Sequence, residues 1–179
     1  KQLVMVQSFD ASVFIYRAIN LVTSNLFAGV VLSLAILWFF IRRMRATLII
    51  ATAIPISLLS TFIVLELTGR SLNVISLAGL AFAVGMVLDA AIVVLENILR
   101  MRDKGIDEHN SSLQGAEQVW GALLACTATT VAIFLPVFFL KDVEGQLFGD
   151  LALTIAIAVS VSLIVAVVLL PVLAKYFLK

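Results

Sequence analysis

VISLAGLAFAVGMVLDAAIVVLENI, residues 74–98, is an almost unbroken apolar run that carries two acidic side chains, Asp89 and Glu96. A helix crossing the roughly 30 Å hydrocarbon core of a bilayer needs about 20 consecutive, mostly apolar residues, and this run exceeds that length. Its apolar residues are continuous rather than alternating, which excludes a barrel strand. Similar runs occupy residues 22–41, 46–67, 119–140 and 147–174. The pattern predicts an all-α membrane protein, a five-helix transmembrane bundle.

Composition agrees. Of 179 residues, 63% are hydrophobic and 13% charged, against about 45–50% apolar and about 25% charged in soluble domains. A soluble fold cannot hide that much apolar surface in one core, and a disordered chain has the opposite composition. A net charge of +1 gives no broad basic surface for nucleic acid. One histidine, His109, and one cysteine, Cys126, lie in different elements, so no zinc site or disulfide framework is expected. Without a glycine-rich phosphate loop, ATP is not the expected energy source, and no cofactor is implied.

Lysine and arginine sit mostly between the runs. One side of the predicted bundle collects Arg42, Arg43, Arg45, Arg100, Arg102, Lys104, Lys175 and Lys179, while the other has Lys1, Arg17, Arg70 and Lys141. By the positive-inside rule the richer side is cytoplasmic, which puts the N-terminus outside and the C-terminus inside. An external N-terminus without a signal of its own suggests a piece of a longer chain with at least one earlier span. On this reading residues 1–9 end an external domain and residues 10–179 form the helix block. Asp10 is the expected N-cap of the first helix, Gly69 a stop signal, and Ser111 with Gln114 a capping box for the helix entering the fourth span. Pro55, Pro136 and Pro171 are expected to bend helices.

Asp89 is the candidate for chemistry. It lies a little past the middle of its span, where a carboxylate costs about 2.5–3.5 kcal/mol to insert, and it must therefore face protein or a wet cavity. An apolar setting favours the neutral acid and a nearby cation the carboxylate, so a site that alternates between the two loads and unloads a proton. Ala81, Gly85 and Asp89 follow at intervals of four and form a small-residue stripe suited to close helix packing. Glu96 and Asn97 lie near the same side of the helix. For Glu96 a relay role and an interfacial, ion-paired role both stand. Thr129 and Thr130 are possible supporting hydroxyls, although bonds within their own helix are the simpler expectation.

The run GMVLDAAIVVLEN, Gly85 to Asn97, resembles the signature of the fourth transmembrane helix of resistance–nodulation–division (RND) efflux transporters. Phe9-Asp10 through Phe14-Ile15 resembles the family's approach to its second helix. Arg45 to Ile49 with Ile54-Pro55 resembles its third, and Val119-Trp120, Thr129-Thr130 and Phe134 to Val137 its fifth. The resemblance implies family helices two to six of the N-terminal half of a proton-driven exporter in the bacterial inner membrane. The branch implied is the one that exports drugs or amphiphiles. It identifies a secondary active transporter, a proton antiporter, rather than an enzyme. Many members carry two adjacent aspartates where this chain has Asp89-Ala90, so a two-carboxylate mechanism is excluded. The family further implies a lysine in the C-terminal half answering Asp89, and a homotrimer working with a periplasmic adaptor and an outer-membrane channel. The block alone is not expected to transport. Other readings of the residues are a heavy-metal exporter of the same family, a protein-export accessory subunit, and a non-transporting scaffold in which Asp89 bonds a neighbour.

Overall fold

A computed structural model of the chain describes residues 11–70, 73–140 and 143–178. The expected external strand of residues 1–9 and the Asp10 cap lie outside them. The described chain is helical throughout: α1 (Ala11–Ile41), α2 (Met44–Leu67), α3 (Val74–Asp103), α4 (Glu108–Phe134), α5 (Val143–Ile164) and α6 (Leu170–Phe177). Among the described residues five helical segments are long and apolar enough to cross a membrane, the fifth formed by α5 and α6 together. The bundle expected from the apolar runs is the one observed.

The helix α3 is the hub and packs against α1, α2, α4, α5 and α6. Its buried residues include Leu80, Ala83, Val87, Ala91, Val94 and Ile98, spaced by three and four so that they form one stripe. On α2 the matching stripe is Ala46, Ile50, Ala53, Ser57, Thr61 and Leu65. Lipid tails are as apolar as leucine, so these stripes meet by close packing and hydrogen bonding rather than by escape from water. Glycines let backbones approach, Gly145 against the Leu140 carbonyl after the 3₁₀ turn and Gly79 and Gly115 between helices. A Cβ on Gly79 would sit 3.2 Å from the Leu151 carbonyl oxygen on α5, and one on Gly115 would sit 2.8 Å from the Ile98 Cα. Buried hydroxyls are satisfied, Thr61 donating to the Ser57 carbonyl at 2.7 Å and Ser162 of α5 to the Val87 carbonyl of α3 at 2.9 Å.

The prolines act differently. Helix α2 continues through Pro55. Pro136 falls at the start of a 3₁₀ turn, Leu135–Phe139, in which α4 ends. Between α5 and α6 the chain widens into a π turn, Val165–Leu169, and the Leu170 N–H reaches back to the Val165 carbonyl. Pro171 has no N–H for the regular ladder, and the widened turn lies just before it.

Polar contacts tie the two ends of the bundle. At one, Arg43 pairs with Asp103 at 2.8 Å, joining the start of α2 to the end of α3. At the other, Arg70 pairs with Asp150 at 2.8 Å, and Asn73 donates to the same carboxylate at 3.3 Å. Helices α2 and α3 stop at Gly69 (φ 69°) and Gly105 (φ 83°), left-handed positions that suit glycine. The Gly69 stop was expected. The Ser111 capping box is corrected: α4 begins one turn earlier, where Asp107 accepts the Asn110 N–H at 3.3 Å. Ser111 and Ser112 lie inside that first turn and donate to the Glu108 carbonyl.

Two outcomes are expected for the detergent-solubilised protein. Gly115→Ala should lower stability by about 1–3 kcal/mol in thermal or denaturant unfolding, because the Ile98 backbone cannot yield. Gly121→Ala, with nothing within 4 Å of its new methyl, should not. The Asn110 side-chain amide, then its backbone N–H, hold the Asp107 carboxyl below the usual carboxylate range. A folded value below the unfolded one means that the cap stabilises fully above the ordinary carboxylate value and is lost as pH falls through the lowered one. The melting-temperature gap between the wild type and Asp107→Ala should therefore narrow between about pH 7 and about pH 3.

Candidate functional site

Asp89 stands near the middle of the 30-residue α3, roughly 21–23 Å from either end of the helix. It opens onto a cleft of about 1010 Å³ between α1 and α3. Ser33, Leu37 and Phe40 form the α1 wall, and Gly85, Asp89, Ile92 and Glu96 the α3 wall. Arg43, Arg100 and Asp103 line it toward the end of α3. Among the described residues Asp89 has no hydrogen-bond or ion-pair partner, whereas Asp103 and Asp150 are ion-paired and Asp107 caps a helix. The acid occupies a wide, partly polar opening instead of a packed helix interface.

The expected stripe lies on the same side. Gly85 is exposed, with nothing within 4 Å of an added Cβ, and Ala81 is half-buried. The tight helix approaches within the described residues are at Gly79 and Gly115 instead. Glu96 is exposed, lines the Asp89 cleft, and also borders a smaller cavity of about 210 Å³ with Asn97 and Arg100.

Asn97 has turned inward. Its Nδ2 donates to the Gly115 carbonyl at 2.7 Å and to Gln118 Oε1 at 3.4 Å, while its Oδ1 accepts from Arg100 at 2.6 Å. It thus pins α3 to the start of α4 and orients Arg100, which lines the Asp89 cleft. Thr129 and Thr130 are on α4, away from the cleft lining, and donate to the Ala125 and Cys126 carbonyls at 2.8 and 3.0 Å. Of the possible supporting residues, the fold brings only Glu96 to the cleft with Asp89, with Asn97 one step behind it.

The residues not anticipated are Arg43, Arg100 and Asp103. Part of the signal was present, since Asp89, Glu96 and Asp103 recur every seven residues and so share one helix side. Arg43 joins them only because the short α1–α2 turn lands beside the end of α3.

A family model described as the AcrB/AcrD/AcrF family matches residues 1–179, the whole chain. The chain belongs to that family. It is also 38% identical over 170 residues to the multidrug resistance protein MdtC of Salmonella arizonae, a match that covers 95% of this chain and 17% of the relative. The MdtC proteins of Shigella flexneri and Yersinia enterocolitica match over the same shares at 38% and 36% identity. The chain therefore spans about a sixth of the length of these curated relatives. The resemblance to RND efflux transporters is met on the whole chain, and the five apolar helices belong to a multi-pass inner-membrane protein of the AcrB/AcrD/AcrF family.

In this AcrB/AcrD/AcrF helix block Asn97 is the main polar tie between α3 and α4. Asn97→Ala should lower stability by about 1–3 kcal/mol in thermal unfolding, since it removes buried hydrogen bonds and the acceptor that orients Arg100. Gln118→Ala, which loses one long contact at 3.4 Å, should cost less.

Proposed function

We propose that this helix block is the proton-coupling part of the transmembrane core of a multidrug exporter, and that Asp89 is its proton-carrying residue. The observation that carries the reading is the mid-span carboxyl in an open cleft with no partner among the described residues. A carboxylate at that depth is costly unless water, a cation or a proton answers its charge. Nothing lies within 4 Å of a Cβ added to Gly85, and on this reading a helix from the remainder of the transporter packs against that side and brings a lysine as counter-ion.

In the proposed cycle Asp89 binds a proton from the external side and loses its charge, and the lysine is released. The bundle relaxes, and α1 carries the movement to an external domain that ends in residues 1–9. Residues 10–179 are the membrane block, the N-terminus lies in the periplasm and the C-terminus in the cytoplasm. A membrane potential contributes about 2.3 kcal/mol per charge per 100 mV, so one proton suffices for a rearrangement of a few kcal/mol. The names of the MdtC relatives favour drugs or amphiphiles over metal ions as substrates. A homotrimer with a periplasmic adaptor and an outer-membrane channel is the assembly that goes with this reading.

In the full-length transporter Asp89→Asn is expected to abolish drug export in an energised-cell efflux assay, with the folded amount unchanged. The substitution keeps the size of the side chain but replaces the titratable carboxyl by a neutral amide. Proton-dependent export that persists in Asp89→Asn would refute the assignment.

A further inference from the structure

Beside the Arg43–Asp103 pair, the first turn of α2, the last turn of α3 and the residue after α6 enclose a second cavity of about 330 Å³. Its lining consists of Arg43, Arg45 and Arg102 with Met44, Leu99 and Leu178. Arg102 is the informative member. Its Nε and Nη2 are shielded from solvent and have no hydrogen-bond partner among the described residues. Two of the three nitrogens of this half-buried guanidinium have given up hydration without gaining an acceptor, an arrangement that a protein tolerates when an anion completes it.

Depth and shape narrow the anion. The cavity lies where helices α2, α3 and α6 begin or end, at the height where apolar runs give way to headgroups. The cavity gathers three positive charges, of which Arg43 is already paired with Asp103, and the Arg102 guanidinium suits phosphate oxygens, which accept forked N–H pairs. Met44, Leu99 and Leu178 supply an apolar wall that a free inorganic ion does not use but a glycerol backbone and the first acyl carbons do.

We infer that this cavity binds the phosphodiester headgroup of an anionic phospholipid, with the half-buried Arg102 as its main donor. The site is separate from the Asp89 cleft and holds whether or not Asp89 carries protons. A lipid seated there bridges the ends of three helices and reinforces the Arg43–Asp103 tie.

The test is native mass spectrometry of the delipidated full-length transporter, titrated with phosphatidylglycerol and with phosphatidylcholine of the same acyl chains. Phosphatidylglycerol is expected to bind about tenfold more tightly. Arg102→Gln should erase that preference, as should Leu178→Glu, which supplies the cavity with an internal carboxylate. Arg17→Gln, in the opposite half of the membrane, should leave it intact. Equal binding of the two lipids, as would follow if a carboxylate from the rest of the transporter filled the cavity, overturns the inference. A preference that survives in both folded variants also overturns it. Displacement of the lipid by millimolar inorganic phosphate assigns the cavity to a free anion and overturns the lipid reading.

Discussion

A polar group placed in hydrocarbon has to find its partner inside the protein, and that constraint organises this bundle. Buried hydroxyls of Thr61 and Thr154 bond back to carbonyls in their own helices. Ser162 reaches across to the Val87 carbonyl, and Asn97 reaches from α3 to the start of α4. Even Pro171 is accommodated by a π turn in which the Leu170 N–H finds the Val165 carbonyl. Against that background, among the described residues the mid-helix carboxyl of Asp89 and two shielded guanidinium nitrogens of Arg102 have no partner. The two lie at different heights along α3. Asp89 faces a wide cleft near the middle of α3, and Arg102 lines a small cavity near the end of the same helix.

Packing explains why the cleft exists where it does. The α3–α5 contact is tight because Gly79 lets the helices meet at the Leu151 carbonyl, and the α3–α4 contact is tight at Gly115. Neither glycine lies on the side of α3 that carries Gly85 and Asp89. On that side α1 packs Leu37 into the core but leaves a gap beside Asp89, toward the exposed Phe40. Much of α1 is correspondingly exposed, including Phe27, Trp38 and Phe39. The hub helix is therefore held firmly on the sides of α4 and α5 and loosely around its acid.

Much of this was legible in the residues, because membrane spans are written in long apolar runs and depend little on tertiary detail. The run at residues 74–98 announced α3, Gly69 announced the end of α2, and the depth of Asp89 made it the candidate. What was not legible depends on which helices meet. The box written in Ser111 and Gln114 was a plausible start for α4, but Asp107 lies one turn earlier with Asn110 at the right spacing, and the earlier cap won. Asn97 looked like a companion of Asp89 on one helix side, and only the approach of Gly115 shows that it faces α4. Arg43 and Arg102 were read as charges that set orientation. Their neighbours come from α3 and the residue after α6, far away in sequence.

The distribution of ties bears on how such a block can move. Ion pairs hold both ends, Arg43 with Asp103 and Arg70 with Asp150, so α2 and α3 are fastened at one end and the α2–α3 turn is fastened to α5 at the other. Exposed ion pairs of this kind are individually weak, about 0–1 kcal/mol, and they set register more than rigidity. The tight glycine contacts do the holding, on the α4 and α5 sides of α3. A change of charge at Asp89 would therefore meet little resistance from α1 and strong resistance from α4 and α5. Any displacement it caused would be directed into the cleft and along α1, the long helix that continues to Ala11. Under the proposed coupling that direction matters more than the size of the force, because a proton supplies only a few kcal/mol and a bundle gripped equally on all sides would dissipate it.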